Sequence, residues 1–366
     1  MSDRHLCDLH RRTAERLGSR IALRHKRDGL YHDLSWSDYR RQADWAAAGL
    51  ISLGVRPGDR IAILSENRVE WFIADHAILS TGAADVPLHA PLAAAQVEYQ
   101  VGHSESHGIV VSGQSQADKV FEVLPSLPKL KFLISFEPIS ARSNCRVQRL
   151  TWEGLKHRGR QAGNAAFAEI TRREAALCGG DLATIIYTSG TTGPPKGVML
   201  SHHNLLSNAA ATSKISFLSP DDVLLSWLPY SHIYARTIDH YLTTCAGITV
   251  ALAESLDTLV TNLAEVQPTW LTAVPRFYEK VWDNVKTLTA DERSTRLQDL
   301  FGPRIKQLTS GGAPLPRHIC EAFFRAGLPL LEGYGLTESS PVIAFNNQDS
   351  FRIDRKSTRL NSSHRL

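Results

Sequence analysis

What this sequence lacks narrows it first. Its five cysteines (Cys7, Cys145, Cys178, Cys245 and Cys320) form no CxxC pair and follow no metal-ligand spacing. That leaves no disulfide framework or zinc module and fits a reducing compartment. The amino terminus, MSDRHLCDLHRRTAERLG, is too polar for a secretory leader. The longest promising uncharged run, Tyr241 to Ala253, falls short of the ~20 residues that a bilayer crossing takes. No repeat of solenoid or propeller period is present. A GxSxG elbow, a GxGxxG dinucleotide loop and a kinase catalytic loop are likewise missing.

Charge of one sign is also missing. The net charge of +4 invites a nucleic-acid reading, but its location argues otherwise. Four of the 41 basic residues fall in the last twelve positions, RKSTRLNSSHRL, which hold no acid. The rest of the chain balances 37 basic groups against 37 acidic ones. The global sign therefore gives no argument for a polyanion partner. The tail has no hydrophobic periodicity and resembles translated adapter sequence. Residues 355–366 are accordingly expected to be non-native and are left out of the fold reading.

What is present is an alternation of short apolar runs with longer helical patterns, the signature of βαβ units around a largely parallel sheet. RIAILSEN, ADVPLHA, HGIVVSG and KLKFLISF read as strands, separated by helices in VEWFIADHAILSTG, LAAAQVEYQVGHS and QADKVFEVLPSL. From Glu137 to Gly180 the pattern weakens to polar turns and one short helix. A second alternation then begins with LATIIY and runs through VLLSWLP, GITVALA, PTWLTAV and RIKQLTSGGAPL to LPLLEGYGLTE. The expected class is α/β, with a first α/β subdomain and its connection over 1–180 and a second over 181–354.

Between the LATIIY strand and a helical-looking VMLSHHNLLSNAAA lies TSGTTGPPKG, Thr188 to Gly197. Its glycines permit close backbone approach to a ligand. Thr188, Ser189, Thr191 and Thr192 offer donors to phosphate oxygens, and Lys196 offers a mobile positive charge. The run is not a Walker loop, which needs glycine directly before the lysine. A generic glycine–serine run would read as a surface turn; this combination reads as a phosphate loop.

YTSGTTGPPKGVMLSHHNL resembles the signature loop of the adenylate-forming (AMP-binding) superfamily. LPYSHIYART, TAVPRFYEKVWDNV, TSGGAPL and EGYGLTESSP resemble its later core motifs in the right order. The likeness covers about residues 5 to 350 and is similar to the fatty acyl-CoA synthetase branch, long-chain enzymes in particular. It implies the large N-terminal core of that superfamily, two layered α/β subdomains, with the end of the core and the small C-terminal domain absent. The implied reaction is activation of a fatty or other carboxylic acid by ATP to an acyl-adenylate, then to acyl-CoA, with AMP and pyrophosphate released. ATP, Mg²⁺ and coenzyme A are the implied cofactor and substrates.

The resemblance also assigns roles. Thr188, Ser189, Gly190, Thr191, Thr192, Gly193 and Lys196 would hold the phosphates that leave as pyrophosphate. Gly311, Gly312 and Ala313 would wall the adenine and acyl site, beside Gly333, Tyr334, Gly335, Leu336 and Thr337. In that set Tyr334 stacks on adenine, Thr337 donates to the α-phosphate and Glu338 holds Mg²⁺. His232 would sit at the acyl-carboxylate end. The implied catalytic set is Thr188, Lys196, His232 and Glu338. His202 and His203 read as helix-start residues, and Arg276 as either structural or near phosphate. The chain is expected to be a truncated, cytoplasmic ligase with possible peripheral membrane contact and no nucleic-acid partner. Alternatives are a catalytically inert nucleotide- or acyl-binding fragment, another carboxylate-adenylating enzyme, and, on the phosphate loop alone, a phosphoryl-transferring NTPase or kinase.

Overall fold

The apolar runs become the inner strands of two sheets. The structure, a computed structural model, describes residues 4–140, 146–188, 193–216 and 218–346. The basic tail 355–366 lies outside them, as do Ser189, Gly190, Thr191 and Thr192. In chain order the strands are β1 (Ile21–Arg27), β2 (Leu30–Ser35), β3 (Arg60–Leu64), β4 (Ala84–Leu88) and β5 (Gly108–Val111). Then come β6 (Phe132–Ser135), β7 (Gln148–Thr151), β8 (Leu182–Thr188), β9 (Lys196–Ser201) and β10 (Val223–Ser226). The series ends with β11 (Thr249–Leu252), β12 (Trp270–Ala273), β13 (Gln307–Ser310), β14 (Leu330–Gly335) and β15 (Val342–Phe345).

The first compact unit comprises residues 4–20, 34–206 and 229–232. Its sheet has the order β7-β6-β5-β3-β4-β8-β9. All its pairings are parallel except the last, β8 with β9. β4, β5 and β6 are buried along their whole length, as are four of the five residues of β3. That is the consequence of covering a parallel sheet on both faces, and it is why these strands read as continuous apolar runs. Helix Val69–Ser80 is apolar nearly all round and buries every residue but Glu70.

Two expectations change here. The segment 137–180 holds β7 and two helices, Trp152–Gln161 and Gly163–Ala176, not one short helix. The second of these buries only Ile170 and Glu174, so it leaves little periodicity to read. Moreover β8 and β9 complete the first sheet, so the first unit runs past Gly180, where a boundary was expected. A parallel strand needs its neighbour's hydrogen bonds, and Asp85 of β4 pairs in register with Thr184 of β8.

Small residues and one ion cluster lock the helices of this unit. A Cβ on Gly159 would lie 1.8 Å from the Trp45 carbonyl oxygen, and one on Gly49 would lie 2.4 Å from that of Leu155. The helices Trp36–Ser52 and Trp152–Gln161 thus touch backbone to backbone. Nearby, the fully buried Glu174 carboxylate accepts from Arg11 Nη2 and, at 2.9 Å, from Arg40 Nη2. Arg40 also pairs with Asp44 at 2.8 Å. Three helices, Leu6–Leu17, Trp36–Ser52 and Gly163–Ala176, meet on that one carboxylate.

The second unit comprises residues 21–33, 207–228 and 233–346. Its sheet has the order β15-β14-β13-β12-β10-β11-β1-β2. β1, β11, β10, β12, β13 and β14 run parallel, and β15 returns antiparallel to β14. Leu225, Leu271, Leu308 and Leu330 project from adjacent strands into a core closed by Tyr278, Phe301, Ile319 and Phe323 from the helices. No helix among the described residues is long and apolar enough to cross a membrane.

Glu174→Ala leaves the partly buried Arg40 with only part of its counter-charge. It should cost about 3–5 kcal/mol of unfolding free energy in a urea titration. A loss under about 1 kcal/mol would show the cluster to be no more than a solvated surface pair.

Candidate nucleotide and acid site

In the first unit the TSGTTGPPKG run joins two antiparallel strands, not a strand and a helix. Lys196–Ser201 forms β9, antiparallel to β8, and the helix begins only at His202. The cross-strand pairs include Ile185 with Met199, Tyr187 with Gly197, and Thr188 with Lys196. The two ends of the loop are therefore opposite each other, with Thr188 half-buried and Lys196 exposed. Lys196 makes no ion pair among the described residues. Gly193 is exposed with open space around it, whereas a Cβ on Gly197 would come within 2.8 Å of Ile185. Gly197 therefore serves hairpin packing and not ligand approach.

His202 starts its helix as expected. Burial drives its pKa down to about 4, the neighbouring His5 adding to the effect, so it is a neutral core residue. His232 belongs to this unit through the segment 229–232. Tyr230 anchors that segment against Trp71 and Phe72, with ring centroids 5.3 and 4.7 Å away, and its amide donates to Asn67 Oδ1 at 3.1 Å. Desolvation by the surrounding protein, then the nearby His89, holds His232 below its ordinary pKa, so the ring is neutral near pH 7. His89 itself hydrogen-bonds Ser231 at 3.1 Å. The sequence reading missed Asn67 and His89, because each lies far along the chain from the motif it supports.

In the second unit, β13 and β14 pair in parallel, with Ser310 opposite Glu332. Their carboxyl ends therefore bring Gly311, Gly312 and Ala313 beside Gly333 to Glu338, at the edge where open α/β sheets take ligands. Tyr334 and Leu336 are each about half exposed, despite being large and apolar in part. Thr337 and Glu338 lie in the following short 3₁₀ turn, with Glu338 exposed. The glycines differ in kind. A Cβ on Gly335 would meet the Pro341 carbonyl oxygen at 2.1 Å, at the bulge where β14 and β15 lose register. One on Gly311 would strike the Tyr234 ring at 2.7 Å, and one on Gly333 would lie 3.2 Å from Phe345. Gly312 has a φ of +83° and open space, so backbone conformation alone demands glycine there.

Beneath these strand ends runs a buried polar network absent from the sequence reading. The stretch Arg236–Leu242 is π-helical and entirely buried. Its Asp239 accepts from Ser226 Oγ at 2.7 Å, and Trp227 Nε1 donates to the Thr272 carbonyl at 2.9 Å. Burial pushes the Asp239 carboxyl up to about 7, against the hydrogen bonds from Ser226 and Thr272. Burial likewise raises the Tyr234 phenol, which remains protonated. The signal for this network was four polar or ionisable residues, Arg236, Thr237, Asp239 and His240, inside a buried stretch.

A hard divalent cation takes oxygen donors, and Mg²⁺ is commonly held by one or two carboxylates together with substrate phosphates. Glu338, an exposed carboxylate beside the Thr337 hydroxyl, fits that donor chemistry.

The sequence matches the family described as AMP-binding enzyme over residues 10–362. It is 32% identical to a long-chain-fatty-acid–CoA ligase of Mycobacterium bovis, over 89% of this chain and 59% of that protein. It is 30% identical to a long-chain-fatty-acid–CoA ligase of Xenopus laevis, over 94% of this chain and 52% of that one. The chain thus spans only about half to three fifths of these relatives. The structure is similar to the N-terminal domain of FACL13 from Mycobacterium tuberculosis, with a TM-score of 0.73, 23% identity, and coverage of 95% and 79%. That likeness bears out the α/β fold class expected for the N-terminal core of adenylate-forming enzymes.

The raised Asp239 pKa carries a sign. The folded state holds this proton more tightly than the unfolded chain, whose ordinary value is 3.8. Stability from this group is therefore full below about 4 and is lost as pH rises to about 7. Asp239→Asn should gain thermal stability relative to wild type as pH rises from 5 to 8 on calorimetric scans. A wild-type-minus-variant difference that is flat across that range would refute the assignment.

Proposed function

The chain belongs to the AMP-binding enzyme family, and we propose that it carries the ATP- and acid-binding part of a fatty acid–CoA ligase. The observation that most supports this is the direct opposition of Thr188 and Lys196 at the neck of the hairpin. A hydroxyl and an exposed lysine without an ion partner among the described residues suit the β- and γ-phosphates of ATP. In the reaction a carboxylate oxygen of the acid attacks the α-phosphorus, and the bond to pyrophosphate breaks. The thiol of coenzyme A then attacks the acyl carbon of the adenylate, forming the thioester and releasing AMP.

The first step brings two anions together and builds charge on phosphate, so positioning and electrostatics carry most of the catalysis. Lys196 and Thr188, with Ser189 to Gly193, take the leaving pyrophosphate. Tyr334, half exposed at the end of β14, offers its ring to adenine, and Thr337 donates to the α-phosphate. Gly311 to Ala313 form a thin wall past which adenine and the acyl chain lie. His232, neutral at pH 7, orients the acid's carboxylate as a hydrogen-bond donor and not as a base. Mg²⁺, held by Glu338 with the phosphates, supplies charge neutralisation when bound. We place the protein in the cytoplasm, collecting acyl substrates by peripheral contact with membranes.

The test is product analysis with ATP, a fatty acid and coenzyme A. Formation of AMP and pyrophosphate supports the reading, whereas ADP or orthophosphate would replace it with phosphoryl transfer. Lys196→Ala should lower ATP–pyrophosphate exchange by about a hundredfold while leaving fatty-acid binding unchanged. Equal loss of both would displace Lys196 from the phosphates.

A further inference from the structure

Three aromatic residues outside that reading converge on the neck of the hairpin. Helix Ala94–His103 carries Tyr99 and His103 four residues apart, and so on one face. Tyr99 Oη donates to the carbonyl oxygen of Pro195 at 3.0 Å. His103 Nδ1 lies 2.8 Å from Tyr187 Oη. The Tyr99 and His103 rings stack with centroids 5.3 Å apart. Both meet the Tyr187 ring edge-on, at 6.2 and 5.8 Å. Tyr187 in turn covers Gly197, its cross-strand partner, where a Cβ would touch the ring at 3.4 Å.

The next pair outward is Thr188 with Lys196, and Pro195 is the residue directly before that lysine. The helix therefore contacts β8 at Tyr187 and the connecting segment at Pro195, on either side of the Thr188–Lys196 pair. We propose that Tyr99 and His103, acting through Pro195 and Tyr187, clamp the hairpin neck and fix the direction in which Lys196 meets the triphosphate. They are positioning residues for nucleotide binding, and this rests on the role proposed above for Lys196.

The physical need for a clamp is plain. β9 is an edge strand, held on one side only, and its first residue is the lysine itself. Edge strands fray at their ends, where hydrogen bonds face solvent. A flexible lysine side chain adds binding energy only if its backbone is already in place, and small misplacements of a reacting or binding group are expensive. Tyr99 supplies a hydrogen bond to the carbonyl at that point. Burial pushes the Tyr187 phenol up to about 12, so it stays protonated at neutral pH.

Tyr99→Phe removes only the hydroxyl and keeps the stacked ring. Calorimetric titration of this protein should then show ATP and pyrophosphate binding weakened by about two- to tenfold, with AMP affinity unchanged. Amide exchange of residues 196–198 should speed up, with the melting temperature near wild type. Unchanged ATP affinity and unchanged exchange would overturn the clamp. So would an equal weakening of ATP and AMP, which a merely structural role would give. If wild-type protein binds no ATP, the proposed function of Lys196 falls, and exchange at 196–198 alone decides whether the clamp exists.

Discussion

The antiparallel pairing of β8 with β9 is the constraint on which the first unit's candidate residues depend. It ends an otherwise parallel sheet with one reversed strand. That reversal converts a glycine-rich connection into a hairpin and sets its two ends level. Side chains alternate faces along a strand, so a slip of one residue would turn Lys196 to the opposite face. Register is held where packing is tightest, and Gly197 under the Tyr187 ring is such a point. The glycine nearest the lysine is thus fixed by the hairpin's geometry, whereas a Cβ on Gly193 would meet nothing within 4 Å among the described residues.

The second unit solves a similar problem differently. Its residues come from the ends of two neighbouring parallel strands, β13 and β14, so proximity follows from sheet order alone. Close packing then selects glycine at Gly311, against Tyr234, and at Gly335, against Pro341. Below them burial raises the Asp239 carboxyl to about 7, which lessens its charge in the core at neutral pH while retaining a hydrogen-bonding group between β10 and the π-helical stretch. A π-helical turn places one extra residue in the helix and is a recurrent feature of functional sites. Here it gathers polar side chains under the strand ends without leaving a surface.

The inner strands were legible because each is a short apolar run buried on both faces, and the helices between them because their periodicity is strong. β9 was not, since only Leu200 of its six residues is buried and an edge strand shows no continuous run. Helix Gly163–Ala176 was hidden for a related reason, its two buried positions being one isoleucine and one glutamate. The candidate motifs stand out in the sequence because each is local: TSGTTGPPKG, SGGAPL and GYGLTE are contiguous strings. What supports them could not. Tyr99 lies 96 residues from Pro195, and Asn67 lies 163 from Tyr230. Such pairs become neighbours only through strand order.

Charge carries the last step. The body of this chain is formally balanced, and much of that charge is spent internally. Arg40 and Arg11 meet Glu174, Arg68 bridges Glu70 and Glu137, and Lys306 meets Asp222. The formal balance therefore supplies no net positive charge to steer a polyphosphate. Recognition must then rest on a few local donors held at fixed positions. Lys196, exposed and without an ion pair among the described residues, is such a donor, because no protein carboxylate has to be displaced from it. Screening at physiological salt reaches about 8 Å, so its advantage exists only at contact distance. Under the role proposed for Lys196, contact with a phosphate therefore depends on the local placement of that lysine more than on long-range charge.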